Sequence, residues 1–167
     1  MKAIQDYYSE SFSHCYGCGR LNKKGHQIKT VWDGDETLTR FTPKPEHTAI
    51  PGLTYGGLIA SLIDCHGTGS ASLALVKELN IKLEGYNAPR CVTASLKVNY
   101  KKPTPIDGSL EIRGKISEIK GKKVVVEARL ISNSEVTVTG QIIAIHVGDS
   151  ALSERETPRK QWWQFWK

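Results

Sequence analysis

A chain of 167 residues, 39% apolar and 24% charged, suffices for one globular domain with a continuous core and is too short for two comfortable ones. Its net charge of +6 suits an anionic partner, but no DNA- or RNA-binding motif accompanies the charge, so nucleic acid is not the expected partner. The first residues lack an apolar signal core, no stretch reads as the ~20 apolar residues of a spanning helix, and the four cysteines are few for a secreted disulfide scaffold; a cytoplasmic protein is expected.

Residues 1–24 are polar and contain His14-Cys15-Tyr16-Gly17-Cys18-Gly19, which reads as a short helix followed by an irregular loop. A lone Cys-x-x-Cys beside a histidine falls short of the four ligands that tetrahedral zinc wants, so no metal is expected. The main domain is expected over 25–148. It opens with two runs, Ile28 to Trp32 and Glu36 to Thr42, joined by Asp33-Gly34-Asp35; this predicts a hairpin, because Asp-Gly supplies positive φ at a tight turn. Pro43, Pro45 and Pro51 then exclude regular structure up to Gly52.

From about Gly56 to Leu79 the sequence is almost wholly apolar or small, which predicts one long buried helix. Gly67 and Gly69 each weaken it by up to ~1 kcal/mol, a cost that a closely wrapped sheet would explain. Four strands follow, along Val92 to Tyr100, Leu110 to Ile116, Val124 to Leu130 and Val136 to Val147, with period-two alternation that implies one buried and one wet face and hence antiparallel pairing. The fold class is therefore α+β, a single long helix packed on a curled antiparallel sheet of about six strands. The tail, 149–167, ends in Gln161-Trp162-Trp163-Gln164-Phe165-Trp166-Lys167, which could fold over the sheet, cover a subunit edge or meet a bilayer interface.

The helix carries the chemistry. Its first amides lack intrahelical acceptors and bear partial positive charge, and Gly56 and Gly57 leave them open to a carbonyl oxygen. Asp64, an acid in an apolar run, lies on the same face as Gly57 but roughly 10 Å along the axis at ~1.5 Å per residue. One chain cannot bring both to one carbon, whereas two antiparallel helices related by a two-fold axis could, which predicts a dimer. Thr68, one turn on, could share a water or substrate with the carboxylate. An acid and a hydroxyl beside a polarised carbonyl form a hydrolytic arrangement, with the acid as general base or nucleophile; alternatively Asp64 caps a neighbouring segment or pairs with a lysine.

His47, Pro51-Gly52, Tyr55-Gly56-Gly57 and Asp64 stand in the order of a His, Pro-Gly, His-Gly-Gly and acid signature, Val98 to Gly108 follows a strand-plus-proline pattern, and Cys15-Tyr16-Gly17-Cys18-Gly19 matches a Cys-Phe-Gly-Cys-Gly opening. Over about 14–147 the chain thus resembles the hotdog-fold acyl-CoA thioesterases of the phenylacetate-type and thioesterase-superfamily-member-4-like groups. The resemblance implies an interface active site in a homodimer or dimer of dimers, acyl-CoA as substrate and water as co-substrate, with no cofactor. It further implies that the Gly57 amide polarises the thioester carbonyl, Asp64 acts on water or attacks, and Thr68 assists. Tyr55 departs from the histidine of the signature, and a phenol is a poor proton shuttle at neutral pH. A catalytically weak acyl-CoA binding module on the same fold is the alternative. For substrate contacts, His47, Tyr55, Gly56 and Tyr100 are candidates by position, and Arg90, Lys101, Lys102, Lys122 and Lys123 by charge for the coenzyme A phosphates. Cys65 is expected to be core packing and His66 a satisfied core or interface histidine.

Overall fold

A computed structural model describes residues 2–148. Helix α1, Gly56–Glu78, packs against one face of a sheet made of β1 (Val31–Asp33), β2 (Glu36–Phe41), β3 (Arg90–Tyr100), β4 (Leu110–Lys120), β5 (Lys123–Ser132) and β6 (Glu135–Val147). Every neighbouring pair is antiparallel and the order across the sheet is β1-β2-β4-β5-β6-β3. This is the hotdog arrangement. Leu62 and Ile63 of α1 are completely buried against Ile112, Val126, Leu130 and Ile142 of the sheet. By length and composition α1 would also pass for a membrane crossing, contrary to the reading of the sequence; its apolarity is accounted for by the sheet, which buries most of it.

The short helical segment expected at the N-terminus is of 3-10 type and in two pieces, Ile4–Tyr7 and Glu10–Phe12. Ile4 and Tyr8 pack on Leu73 in a second small core, and the Tyr8 hydroxyl is 3.0 Å from Ser72 Oγ. The first strand begins at Val31 rather than Ile28, because Gln27 adopts a left-handed φ of 55° and Thr30 is engaged by Gln5, whose Oε1 accepts the Thr30 N–H at 2.9 Å.

The period of β3 is broken by a bulge. Thr93 faces Ala144 and Ser95 faces Ile143 on β6, so Ala94 has no opposite residue. Cys91 and Thr93 point to the helix before the bulge, whereas Val98 and Tyr100 do so after it. The alternation read from Val92 to Tyr100 therefore holds only for the second half of the strand, and Val92 is exposed.

His66 is a core residue, as expected. It is fully buried, with Nδ1 2.9 Å from Thr39 Oγ1 and Nε2 3.4 Å from both Thr37 Oγ1 and Ser70 Oγ. Burial pushes its pKa down to about 3. The unfolded chain therefore takes up the imidazole proton first, and stability drains away as pH falls from about 6.5 toward 3. Between pH 7 and pH 5 this single group removes about 2 kcal/mol. Urea unfolding at the two pH values, with His66→Gln as reference, measures it: the drop in the wild-type protein exceeds that in the variant by this amount.

Candidate active site

The first turn of α1 is held by the loop ahead of it. The Tyr55 N–H donates to His47 O at 2.8 Å and the Thr54 N–H to Thr104 O at 2.9 Å, so the chain enters the helix at a fixed angle. The Tyr100 hydroxyl donates to Gly56 O at 2.7 Å, tying the end of β3 to the same turn. The Ile59 N–H is the first to find an intrahelical acceptor, Tyr55 O at 3.2 Å. The amides of Gly56, Gly57 and Leu58 have no acceptor among the described residues, and no acid lies in the first turn to compete for an anion. Gly57 is exposed, and the Tyr55 ring folds over it, so that a Cβ there would lie 2.5 Å from the ring.

Seven residues further along, Asp64 is half-buried and accepts a short hydrogen bond from the Thr93 hydroxyl on its Oδ1. Burial raises its pKa above the ordinary carboxylate value, the Thr93 bond opposes the rise, and nearby Cys15 adds to it. The carboxylate is thus oriented through one oxygen, with Oδ2 left for another partner, and is more basic than an acid in water.

Thr93 takes the place expected of Thr68. The Thr68 hydroxyl is buried and donates to its own helix, to Asp64 O at 3.2 Å and Cys65 O at 3.3 Å, rather than to the carboxylate. Thr93 was missed because strict alternation puts it on the wet face of β3; only the bulge turns it inward. Thr93→Val should raise the Asp64 pKa further, because the hydrogen bond that favours the charged carboxylate is lost. In the hydrolytic reading developed below, the acid limb of the activity profile then moves to higher pH by the same amount, while Thr93→Ser leaves it in place.

The proposed substrate contacts divide. Gly56, Tyr100, Lys101 and Lys102 line a cleft of about 400 Å³ beside the helix N-terminus, walled also by Ile50 and Leu53. Lys102 is paired with Glu135 at 3.1 Å, whereas Lys101 has no acidic partner among the described residues. Lys122 and Lys123 sit at the β4–β5 turn, which the register places at the opposite end of the sheet. Lys123 is held by Glu118 at 3.0 Å. Arg90 is half-buried and lays its guanidinium 4.7 Å from the Tyr8 ring centre. His47 uses Nδ1 to accept the Lys44 N–H at 3.0 Å and packs its ring on Phe41 and His26, so it shapes the loop that delivers Tyr55.

A long helix with a six-stranded antiparallel sheet curled round it is matched by known proteins. Residues 51–139 match the family described as "Thioesterase superfamily". The chain belongs to the thioesterase superfamily. A thioesterase superfamily protein from Shewanella loihica PV-4 is 44% identical, with 83% of this chain and 97% of that one aligned at a TM-score of 0.63. The PaaI protein from the E. coli phenylacetic acid degradation operon, 10% identical at a TM-score of 0.59 over 74% of this chain and 81% of that one, shares the fold. Acyl-coenzyme A thioesterase THEM4 of Xenopus laevis is 29% identical over 107 residues, and that of Mus musculus 29% over 111, which is 64% and 66% of this chain. The matched region spans 42% of the length of each of these curated relatives.

Proposed function

We propose that this thioesterase-superfamily chain hydrolyses an acyl-CoA thioester at a site completed by a second copy of itself. The observation that carries the reading is the division of labour along α1: unoccupied amides at one end, and an acid oriented by Thr93 about 10 Å away on the same face. A single chain therefore holds two halves of a site that do not meet. β3 is the last strand of the sheet and offers eleven residues of edge, with Val92, Leu96 and Tyr100 exposed along it. Antiparallel pairing of two β3 edges about a two-fold axis near Leu96 would bring Thr93 and Asp64 of one protomer toward the amide end of its partner's helix. Dimer and dimer of dimers both satisfy this geometry.

In this site the free amides, Gly57 foremost, receive the thioester carbonyl oxygen as it becomes negative. Asp64 takes a proton from water through Oδ2, or attacks the carbonyl itself, and Thr93 holds the carboxylate in plane. The coenzyme A thiolate departs and takes up a proton, from the protonated Asp64 in the first case; in the second, water then hydrolyses the acyl–Asp64 anhydride and returns the free carboxylate. Water is the co-substrate, and the reaction requires no cofactor. The cleft walled by Ile50, Leu53 and Tyr100 accommodates an apolar part of the substrate, with Lys101 at its rim for an anionic one. Four free cysteines suit a reducing cytoplasm. The proposed bilayer or subunit contact of the tryptophan tail lies outside the described residues.

One observation favours the alternative of an acyl-CoA binding module: the Tyr55 ring lies over Gly57, on the path of the carbonyl to the amide. A panel of short, long and aromatic acyl-CoAs, followed by thiol release and by equilibrium binding, separates the two. Turnover supports hydrolysis. Tight binding with no thiol release across the panel transfers the assignment to the binding module, and neither turnover nor binding removes both. Sedimentation at varied concentration tests the assembly, and an isolated protomer with full activity contradicts the shared site.

A further inference from the structure

Three of the four cysteines converge where the N-terminal loop meets α1. The sulfurs of Cys15, Cys18 and Cys65 all lie within 4.8 Å of one another, and Cys15 Sγ and Cys65 Sγ are 3.9 Å apart. Zinc–sulfur bonds of ~2.3 Å in a tetrahedron place sulfurs about 3.8 Å apart, so the trio is already near the spacing of three thiolates around one ion. No pair among them is joined as a disulfide.

The loop is shaped around these sulfurs. The Gly19 N–H closes the turn on Cys15 O at 2.8 Å, and the Ile28 N–H ties the loop back through Gly17 O at 3.0 Å. Neither glycine has room for a side chain: a Cβ on Gly17 would run into Cys65 Sγ, and one on Gly19 would lie 2.5 Å from Ser13 O and Cys15 N. Cys18 and Cys65 are buried while Cys15 is half-exposed, which leaves a way in from solvent. Arg90, with Nη1 buried and lacking a hydrogen-bond partner, contributes positive charge to the surroundings of the Cys15 and Cys18 sulfurs.

We propose that Cys15, Cys18 and Cys65 form a three-thiolate site for zinc or another thiophilic divalent cation, clasping the N-terminal loop to α1 beside Asp64. Binding replaces the remaining thiol protons, which pass to the buffer, by three metal–sulfur bonds; the fourth position falls to water or a small anion. Three thiolates and a divalent ion carry a net charge of −1, which the Arg90 guanidinium offsets. The expectation of no metal rested on a single Cys-x-x-Cys, and the third ligand comes from Cys65, 47 positions after Cys18 and brought to it only by the fold.

The test uses the full chain, reduced and stripped of metal, titrated with zinc against a chromophoric chelator and separately with cobalt(II). The expected result is saturation at a single ion per chain, with sulfur-to-cobalt charge-transfer absorption. Cys15→Ser, Cys18→Ser and Cys65→Ser each weaken zinc binding by more than about 100-fold, the upper end for loss of an outer partner. Cys91→Ser, whose buried thiol lies by Ser72 apart from the trio, leaves affinity unchanged. Circular dichroism distinguishes a lost ligand from a lost fold, and the half-exposed Cys15→Ser decides the matter if the buried variants unfold. Absence of saturable binding, cobalt absorption without a sulfur band, or zinc affinity in Cys15→Ser equal to wild type overturns the proposal. None of these readouts involves turnover, so the result stands apart from the hydrolytic reading.

Discussion

Asp64→Asn is expected to lower kcat for thioester hydrolysis by about a thousandfold, within the range that a positioned general base supplies, while leaving the fold intact. The amide keeps the shape of the carboxylate and can still accept the Thr93 hydroxyl hydrogen bond, so what is lost is basicity alone. Burial raises the Asp64 pKa, which means that the folded protein disfavours its charge. Removing that charge should therefore leave the urea midpoint at neutral pH unchanged or higher, the pattern of a residue kept for chemistry at a cost in stability. The same shift fixes the sign of the pH dependence. In the proposed reaction the active form is the carboxylate, so kcat is expected to decline as pH falls through a pKa above the ordinary carboxylate range. A variant retaining activity within tenfold of wild type would remove Asp64 from the reaction, and an acid limb at the pKa of a solvent-exposed aspartate would contradict its burial.

The second large effect lies where α1 crosses β6. A Cβ on Gly67 would stand 2.7 Å from Ile142 Cβ and 2.8 Å from Ile142 Cδ1, and Ile142 is fully buried on β6. Gly67→Ala should therefore destabilise by about 1–3 kcal/mol through overpacking, even though alanine is the better helix former. Ile142→Ala should cost about 2–5 kcal/mol by opening a cavity. Combined, the two should cost less than their sum, because the new methyl group enters the space that the isoleucine leaves. Chemical denaturation of the two single variants and the double variant measures this coupling. Strict additivity would show that Gly67 and Ile142 do not share the space the structure assigns them.

Much of this architecture was legible in the residues. The uninterrupted small and apolar run fixed α1 at Gly56–Glu78, within a residue of expectation, because no solvated helix could carry so few charges. Period-two runs and turn residues located all four late strands. Asp64 and Gly57 stood out as an acid in an apolar run and a bare helix start. What escaped was what depends on register. Thr93 was invisible as a partner of Asp64, because one unpaired residue, Ala94, reverses the faces of the first half of β3. Thr68 looked suitable by helical spacing, but a buried threonine hydroxyl in a helix finds its nearest acceptor in the carbonyls of the preceding turn.

Charge by itself says little about placement. Of the cations named for the coenzyme A phosphates, Lys102 pairs with Glu135, Lys123 with Glu118, and Arg90 turns inward to Tyr8. Lys101 and Lys122 fall at opposite ends of the sheet because a strand of a dozen residues separates its two turns.

The sequence by itself determined the helix, the antiparallel character of the sheet and the acid at issue, since these follow from local periodicity and from a carboxylate placed in an apolar run. Only the tertiary structure decided which hydroxyl serves Asp64 and that Cys65 joins Cys15 and Cys18. Those contacts join residues far apart in the chain, and their partners are chosen by strand register and by the crossing of helix over sheet, which no local pattern encodes.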